Sequence, residues 1–278
     1  MKRLAEIIPV REAIWGFYAE HGRHDLPWRQ PEADGQFDPY KIVVSELMLQ
    51  QTQVPRVIPK FIAFTSQFPT FAALAAALLA DVLRAWSGLG YNRRAKFLWQ
   101  TAQQVEQEFG GALPSTQKEL VRLPGIGSNT AGAILAYAYN QPASFVETNI
   151  RNVFIHHFFK DELQVADADI LPLLRAMLAG EPEPRTFYWA LMDYGTYLKQ
   201  AFGNAARVSS SYTRQSKFAG SRRQVRGQVL RLLGMSADAQ TLNALSNAIV
   251  DERLPSVLDD LVHEGLVVAI TPDLYRLP

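Results

Sequence analysis

The chain reads as mainly α, with a small winged-helix-like module toward its C-terminal end, and three observations lead there. Residues 5–200 carry helical spacing in segment after segment, without the alternation that marks a strand. Residues 203–219 (GNAARVSSSYTRQSKFA) lose that periodicity and turn polar. Beyond them come three short helical segments and two short apolar runs around Pro272-Asp273.

In order, the helical segments fall at 8–21, 40–51, 55–67, 70–77, 79–87, 91–109, 115–122, 128–139, 149–159, 167–179 and 184–200, punctuated by Pro and Gly. They predict an all-helical domain over 1–202, a basic linker over 203–220 and a module over 221–278. In the module SRRQVRGQVLRLLG, TLNALSNAIV and LPSVLDDLVHEG are the helices, and LVVAITPDLYRLP is the closing pair of strands. The third helix of a winged helix usually enters a DNA groove, although many such modules bind only protein. Here it carries Asp259, Asp260 and Glu264, which argues against DNA reading by that helix. The sequence has no internal repeat.

At 278 residues there is room for two modest domains or one large one. With 48% apolar and 20% charged residues the composition is that of a soluble globular protein. A formal charge of +1 excludes neither a nucleic acid nor a small molecule, because binding depends on where charge sits. Between Ala205 and Gly234 lie Arg207, Arg214, Lys217, Arg222, Arg223, Arg226 and Arg231 with no acid among them. That strip is either a solvated linker or a nucleic-acid surface. Cysteine is absent, which excludes disulfides, zinc thiolate sites and cysteine-ligated iron-sulfur clusters. The start MKRLAEIIPVREAIW is interrupted by charge too early for a signal peptide, and FAALAAALLA at 71–80 is too short to span a bilayer. The expected location is the cytoplasm, with the nucleoid inside it, and no membrane partner.

Two segments carry chemistry. Residues 123–152 read LPGIGSNTAGAILAYAYNQPASFVETNIRN. Pro124 fixes one φ angle, while Gly125 and Gly127 permit a tight turn and leave backbone amides uncovered. Those amides open the next helix, where the dipole favours an anion. Alone, LPGIG is equally an ordinary turn between helices. The Ala- and Gly-rich helix that follows lets another helix approach closely, and a carboxylate, Glu147, comes a short loop later. The second segment, DPYKIVVSELMLQQTQVPRV at 38–57, places Glu46 one helical turn from Ile42, Val43, Leu49 and Gln50. A carboxyl on such an apolar stripe has its ionised form disfavoured, which suits a general acid. It also fits a core-edge Glu paired with an Arg.

Taken together, SELMLQQTQV, GLGYNRRAKFL at 88–98, LPGIGSNTAGAI, ETN and LMDYG at 191–195 resemble the helix-hairpin-helix DNA glycosylases, in their adenine-removing, MutY-type branch. The resemblance spans roughly residues 8–200 in the family's order. It implies two helical lobes with a cleft between them, a monomer, and double-stranded DNA with a damaged or mismatched base as partner. The target nucleotide is flipped out and its N-glycosidic bond hydrolysed, at a cost repaid by backbone contacts and a wedge side chain.

By the same resemblance Glu46 protonates the leaving purine, and Glu147 stabilises the sugar cation or attacks C1′. One proton donor and one anion are what an oxocarbenium-like transition state needs. Tyr139 and Asn149 match positions that assist the pair, though Tyr139 also reads as a core aromatic and Asn149 as a helix N-cap. Gln51 matches the residue that fills the gap in the stack, and Asn129, Arg29 and Asp193 are placed with it in the base pocket or wedge. Gly125, Gly127, Ser128 and Thr130 would grip DNA, as would Arg222, Arg223 and Arg226 of the basic strip. The carbonyls of Val121, Leu123 and Ile126 match a monovalent cation site, for sodium or potassium. No other cofactor is expected, since the hairpin follows a helix and lacks the dinucleotide fingerprint.

Three departures bear on the substrate. Asn129 stands where the endonuclease III branch has a Schiff-base lysine and the adenine branch usually has Ser; an amide forms no such adduct, so a glycosylase without lyase activity is expected. Glu147 replaces the usual Asp, and its extra methylene moves the carboxylate by roughly an ångström or more unless the backbone retreats. The outcome is a re-spaced but equivalent acid or a shifted pocket. Lys199 stands near the first expected cluster ligand, so no iron-sulfur cluster is expected, and the larger domain that recognises 8-oxoguanine is not expected in the last stretch. The reading is a glycosylase for adenine mispaired with 8-oxoguanine or G. The alternatives are a same-fold enzyme removing another base and a non-catalytic lesion binder.

Overall fold

The computed structural model describes residues 6–214 and 217–278. The expected domain 1–202 and linker 203–220 therefore each include a few residues outside the described ones. The chain forms two compact units, one made of 1–42, 115–122 and 126–214, the other of 43–114, 123–125 and 215–278. The C-terminal module thus groups with the 43–114 segment instead of forming a unit of its own.

The first unit holds α1 (Ile7–His21), α7 (Gln117–Leu120), α8 (Ser128–Tyr139), α9 (Thr148–Phe158), α10 (Asp167–Leu178) and α11 (Pro184–Phe202). Its centre is α11, which packs on α1, α8 and α9. The small residues of α8 do what their spacing predicts: Ala131, Ala133 and Ala136 are fully buried, and Phe145 fits against Gly132, where a Cβ would lie 2.9 Å from the Phe145 Cβ. Gly195 plays the same part in α11. A Cβ there would lie 2.2 Å from the Asn149 carbonyl oxygen, so only glycine lets α11 and α9 come this close. After α11 a 3-10 turn, Ala205–Val208, packs on α9. The Asn152 side chain accepts from the Ala206 amide at 3.0 Å, and Val165 exchanges backbone hydrogen bonds with Val208 and Ser210, each at 2.9 Å. The expected linker is therefore ordered in its first part, and packing fastens the end of α11 in a chain with no cysteine.

The second unit holds α3 (Val54–Gln67), α4 (Phe71–Ala75), α5 (Leu79–Trp86) and α6 (Arg93–Phe109), followed by the module: α12 (Arg222–Met235), β1 (Gln240–Thr241), α13 (Leu242–Ala248), α14 (Leu254–His263), β2 (Val268–Thr271) and β3 (Leu274–Arg276). The strands lie in the order β1-β3-β2, all antiparallel, the arrangement of a winged helix. Strand β1 was not evident in sequence because it is two residues long. The module is joined to its neighbours by α12 on α5 and by hydrogen bonds from Arg84 to the Gly234 carbonyl (3.1 Å) and Lys96 to the Glu264 carbonyl (2.5 Å). The remaining helix, α2 (Pro39–Leu49), begins in the first unit and ends in the second.

Candidate active site

The hairpin runs from α7 through Pro124 to α8. Gly125 has φ +75°, and a Cβ there would lie 2.9 Å from that of Phe97, so conformation and space both require glycine. The Thr101 hydroxyl donates to the Pro124 carbonyl at 2.9 Å and fixes the turn. Gly127 is the N-cap of α8, without a side-chain capping bond, and a Cβ there would meet nothing. Backbone amides at this exposed end, together with Ser128 and Thr130, form the surface expected to meet a phosphate. Leu123 and Ile126 bury their side chains, whereas Val121 is exposed. Among the described residues no cluster of His, Cys, Asp or Glu is placed to hold a metal ion.

Glu147 is the N-cap residue of α9 and makes no capping bond with its side chain. This corrects the alternative in which Asn149 caps the helix: Asn149 lies inside the first turn and donates to the Thr196 hydroxyl at 3.2 Å. Burial pushes the Glu147 carboxyl above its ordinary value, and the guanidinium of Arg151 opposes the shift. Arg151 sits four residues on, one turn up the same helix, and forms a two-point pair with Asp167 at 2.6 and 2.7 Å. Sequence reasoning missed it, although the i, i+4 spacing from Glu147 was visible. Asn129 Nδ2 donates to the Val146 carbonyl at 3.1 Å and so ties the start of α8 to the residue before Glu147. Tyr139, at the end of α8, is half-buried, and burial pushes its phenol up to about 12.

Glu46 lies on α2 among fully buried neighbours, Val43, Val44, Leu47 and Met48, and is itself half-buried. Of the neighbours one turn away, Ile42 and Val43 are buried and Leu49 and Gln50 half-buried. The helix stops at Leu49 because Gln51 takes a left-handed backbone, φ +56°. What holds this end is Arg94, which is 7% exposed and donates to the carbonyls of Leu47, Met48 and Gln50 at 2.7, 2.9 and 2.6 Å. A cation on the last carbonyls satisfies their unpaired acceptors and the helix dipole together. Arg94 thus shapes both the helix that carries Glu46 and the turn that presents Gln51.

Other expected site residues have structural partners. Arg29 and Asp193, placed by the resemblance in the pocket or wedge, form a buried ion pair at 2.8 Å inside the first unit, 7% and 4% exposed. The Asp193 carboxylate also accepts from the Arg23 side chain and amide. Burial alone would raise its pKa, but the bonds and charges of Arg29 and Arg23 hold it below the usual range. Two of the arginines expected on DNA are likewise engaged: Arg222 with Asp260 at 2.6 Å and Arg226 with Glu264 at 2.5 Å. Two of the three acids that argued against DNA reading by the third helix, Asp260 and Glu264, are therefore partners of the first.

Residues 44–168 match the family described as HhH-GPD superfamily base excision DNA repair protein. The adenine DNA glycosylase of Mycolicibacterium smegmatis is 34% identical, over 94% of this chain and 92% of its own length. That of Homo sapiens is 35% identical over 69% of this chain and 36% of its own. Among solved structures, a trapped endonuclease III-DNA covalent intermediate superposes with a TM-score of 0.59 at 16% identity, and a thermostable thymine-DNA glycosylase with 0.58 at 24%. Each covers 70% of this chain and 86% of its own, which shows a shared fold. The chain therefore belongs to the adenine DNA glycosylases of the HhH-GPD superfamily.

Proposed function

We propose that the protein is a monofunctional glycosylase that removes adenine mispaired with 8-oxoguanine or G from double-stranded DNA. The observation that carries the reading is the similarity to adenine glycosylases over nearly the whole chain, which includes two half-buried carboxylates, Glu46 and Glu147, each in its own unit. Glu46, on its apolar helix, donates a proton to the departing purine. The C1′–N bond then breaks with its electron pair leaving on the base, and water adds to C1′ and releases a proton. Glu147 faces the developing sugar cation. An anion that burial leaves poorly solvated gains most when a cation forms beside it, so its stabilisation is greatest in the transition state. Asn129, an amide, supplies no nucleophile for a sugar adduct. The amides of Gly125 and Gly127 hold a phosphate, with sodium or potassium on the Val121, Leu123 and Ile126 carbonyls, and Gln51 takes the place of the flipped base.

A second reading, the same chemistry on another base, is favoured by Glu147 and Asn129, both unusual for the branch. A panel of duplexes with one mispair or lesion each separates the two. Excision is expected at A:8-oxoguanine and A:G; cleavage only elsewhere in the panel defeats adenine as substrate. Glu46→Gln is expected to lower single-turnover excision by at least about a hundredfold while sparing duplex affinity. Unchanged excision would remove Glu46 from the role of acid, and no excision by the wild type on any duplex would favour a lesion binder.

A further inference from the structure

Within the second unit a pocket of about 330 Å³ opens between the turn after α2, the start of α6 and the first helix of the module, α12. Its walls include Gln51, Tyr91, Arg93, Arg223 and Gly227, and its volume is in the range of sites that take small ligands. We propose that it binds a phosphodiester of the DNA substrate, so that the C-terminal module is part of the DNA-binding surface. The inference rests on DNA being the substrate, as proposed above.

Three observations support it. First, the lining is strongly cationic: Arg93, Arg94, Arg223 and Arg226 against one carboxylate, Glu264. Arg94 is committed to the α2 carbonyls and Arg226 to Glu264. Arg93 is 64% exposed along its side chain and lies 3.6 Å from Glu264, a loose contact that leaves its donors able to turn to an anion. Second, Arg223 and Arg94 converge on one ring: Arg223 donates to the Tyr91 hydroxyl and stands 5.4 Å from the ring centroid, with Arg94 also at 5.4 Å. Tyr91 has φ +47°, a costly conformation for a non-glycine residue. Third, Gly227 lies in the middle of α12, where glycine costs about 1 kcal/mol relative to alanine. Neither a left-handed backbone nor packing explains it, since a Cβ there would meet nothing within 4 Å. A longer side chain would fill the pocket.

The experiment uses full-length protein and a short lesion-free duplex, with affinity read across a salt series. Gly227→Asp places a carboxylate in the pocket and is expected to weaken binding about tenfold at low salt, whereas Gly227→Asn, of the same size but uncharged, weakens it less. Arg93→Gln with Arg223→Gln should reduce the slope of log affinity against log salt by about two, one per guanidinium. Arg93→Lys with Arg223→Lys restores most of it. Wild-type affinity in Gly227→Asp, or an unchanged slope in the glutamine pair, overturns the proposal. Should the glutamine pair fail to fold, the Gly227 series decides alone, because that position has open space. Since this duplex contains no adenine mispair, failure here and failure of adenine excision are separate results.

Discussion

Glu147 stands at the N-cap of α9 with its charge disfavoured by burial and favoured by Arg151. If it works as an anion, excision needs it deprotonated, so the rate rises with pH through its raised pKa and the acid limb lies above the ordinary carboxylate range. Removing Arg151 removes the influence that lowers this pKa. Arg151→Met should move the acid limb of single-turnover excision to higher pH, and Arg151→Lys should return most of it. A limb that stays in place would show that Glu147 is not the group being titrated. Asn129 acts on the same residue through the backbone, by its bond to Val146. The two departures from the branch are thus neighbours in structure: the amide that stands in place of a lysine also tethers the loop carrying the longer acid. Sequence gave the identity of both but no sign of the tether, since a side-chain bond to a backbone carbonyl leaves no pattern.

At the scale of elements, periodicity located the helices from α1 to α11, several of which stop at a glycine, as α1 does at Gly22, α6 at Gly110 and α11 at Gly203. It was less accurate at their ends. The segment expected at 40–51 stops at Leu49, and the one expected from 91 starts at Arg93, since Gln51 and Tyr91 adopt left-handed backbones that few sequence rules anticipate for Gln or Tyr. The 3-10 turns Pro27–Arg29 and Ala205–Val208 were too short to show a period. Close helix contacts are more legible, since small residues mark them. Gly195, within LMDYG, is where α11 meets the backbone of Asn149. Gly195→Ala must push α11 away from the first turn of α9, and overpacking of this kind costs about 1–3 kcal/mol. A lowered thermal midpoint with reduced excision is expected, and an unchanged midpoint would mean that the two helices are not held this closely.

For the molecule as a whole, the candidate chemistry was easier to read than the supporting network. Glu46, Glu147 and the hairpin stand in contiguous motifs. Arg94, Arg23 and Asp167 act on residues distant in sequence, and their partners emerge only when the chain folds. The same holds for the groups that set acid stability. His157 in α9 is stacked on Tyr194 and shares a 3.0 Å hydrogen bond with its hydroxyl; burial and the neighbouring His156 lower its pKa to about 4. Between about pH 6.5 and 4 the unfolded chain therefore binds a proton that the folded chain does not, and stability falls as pH falls through that window. Asp193 adds a second loss at lower pH. Its folded pKa is depressed, so its contribution is complete above the unfolded value and disappears as pH drops through the folded one. Urea denaturation at pH 7 and pH 4.5 should show His157→Gln losing less stability on acidification than wild type. Asp193→Asn, by contrast, leaves Arg29 buried without its carboxylate and should cost about 3–5 kcal/mol already at pH 7. If His157→Gln loses as much stability as wild type between the two pH values, the histidine is charged in the folded protein and the acid sensitivity resides elsewhere.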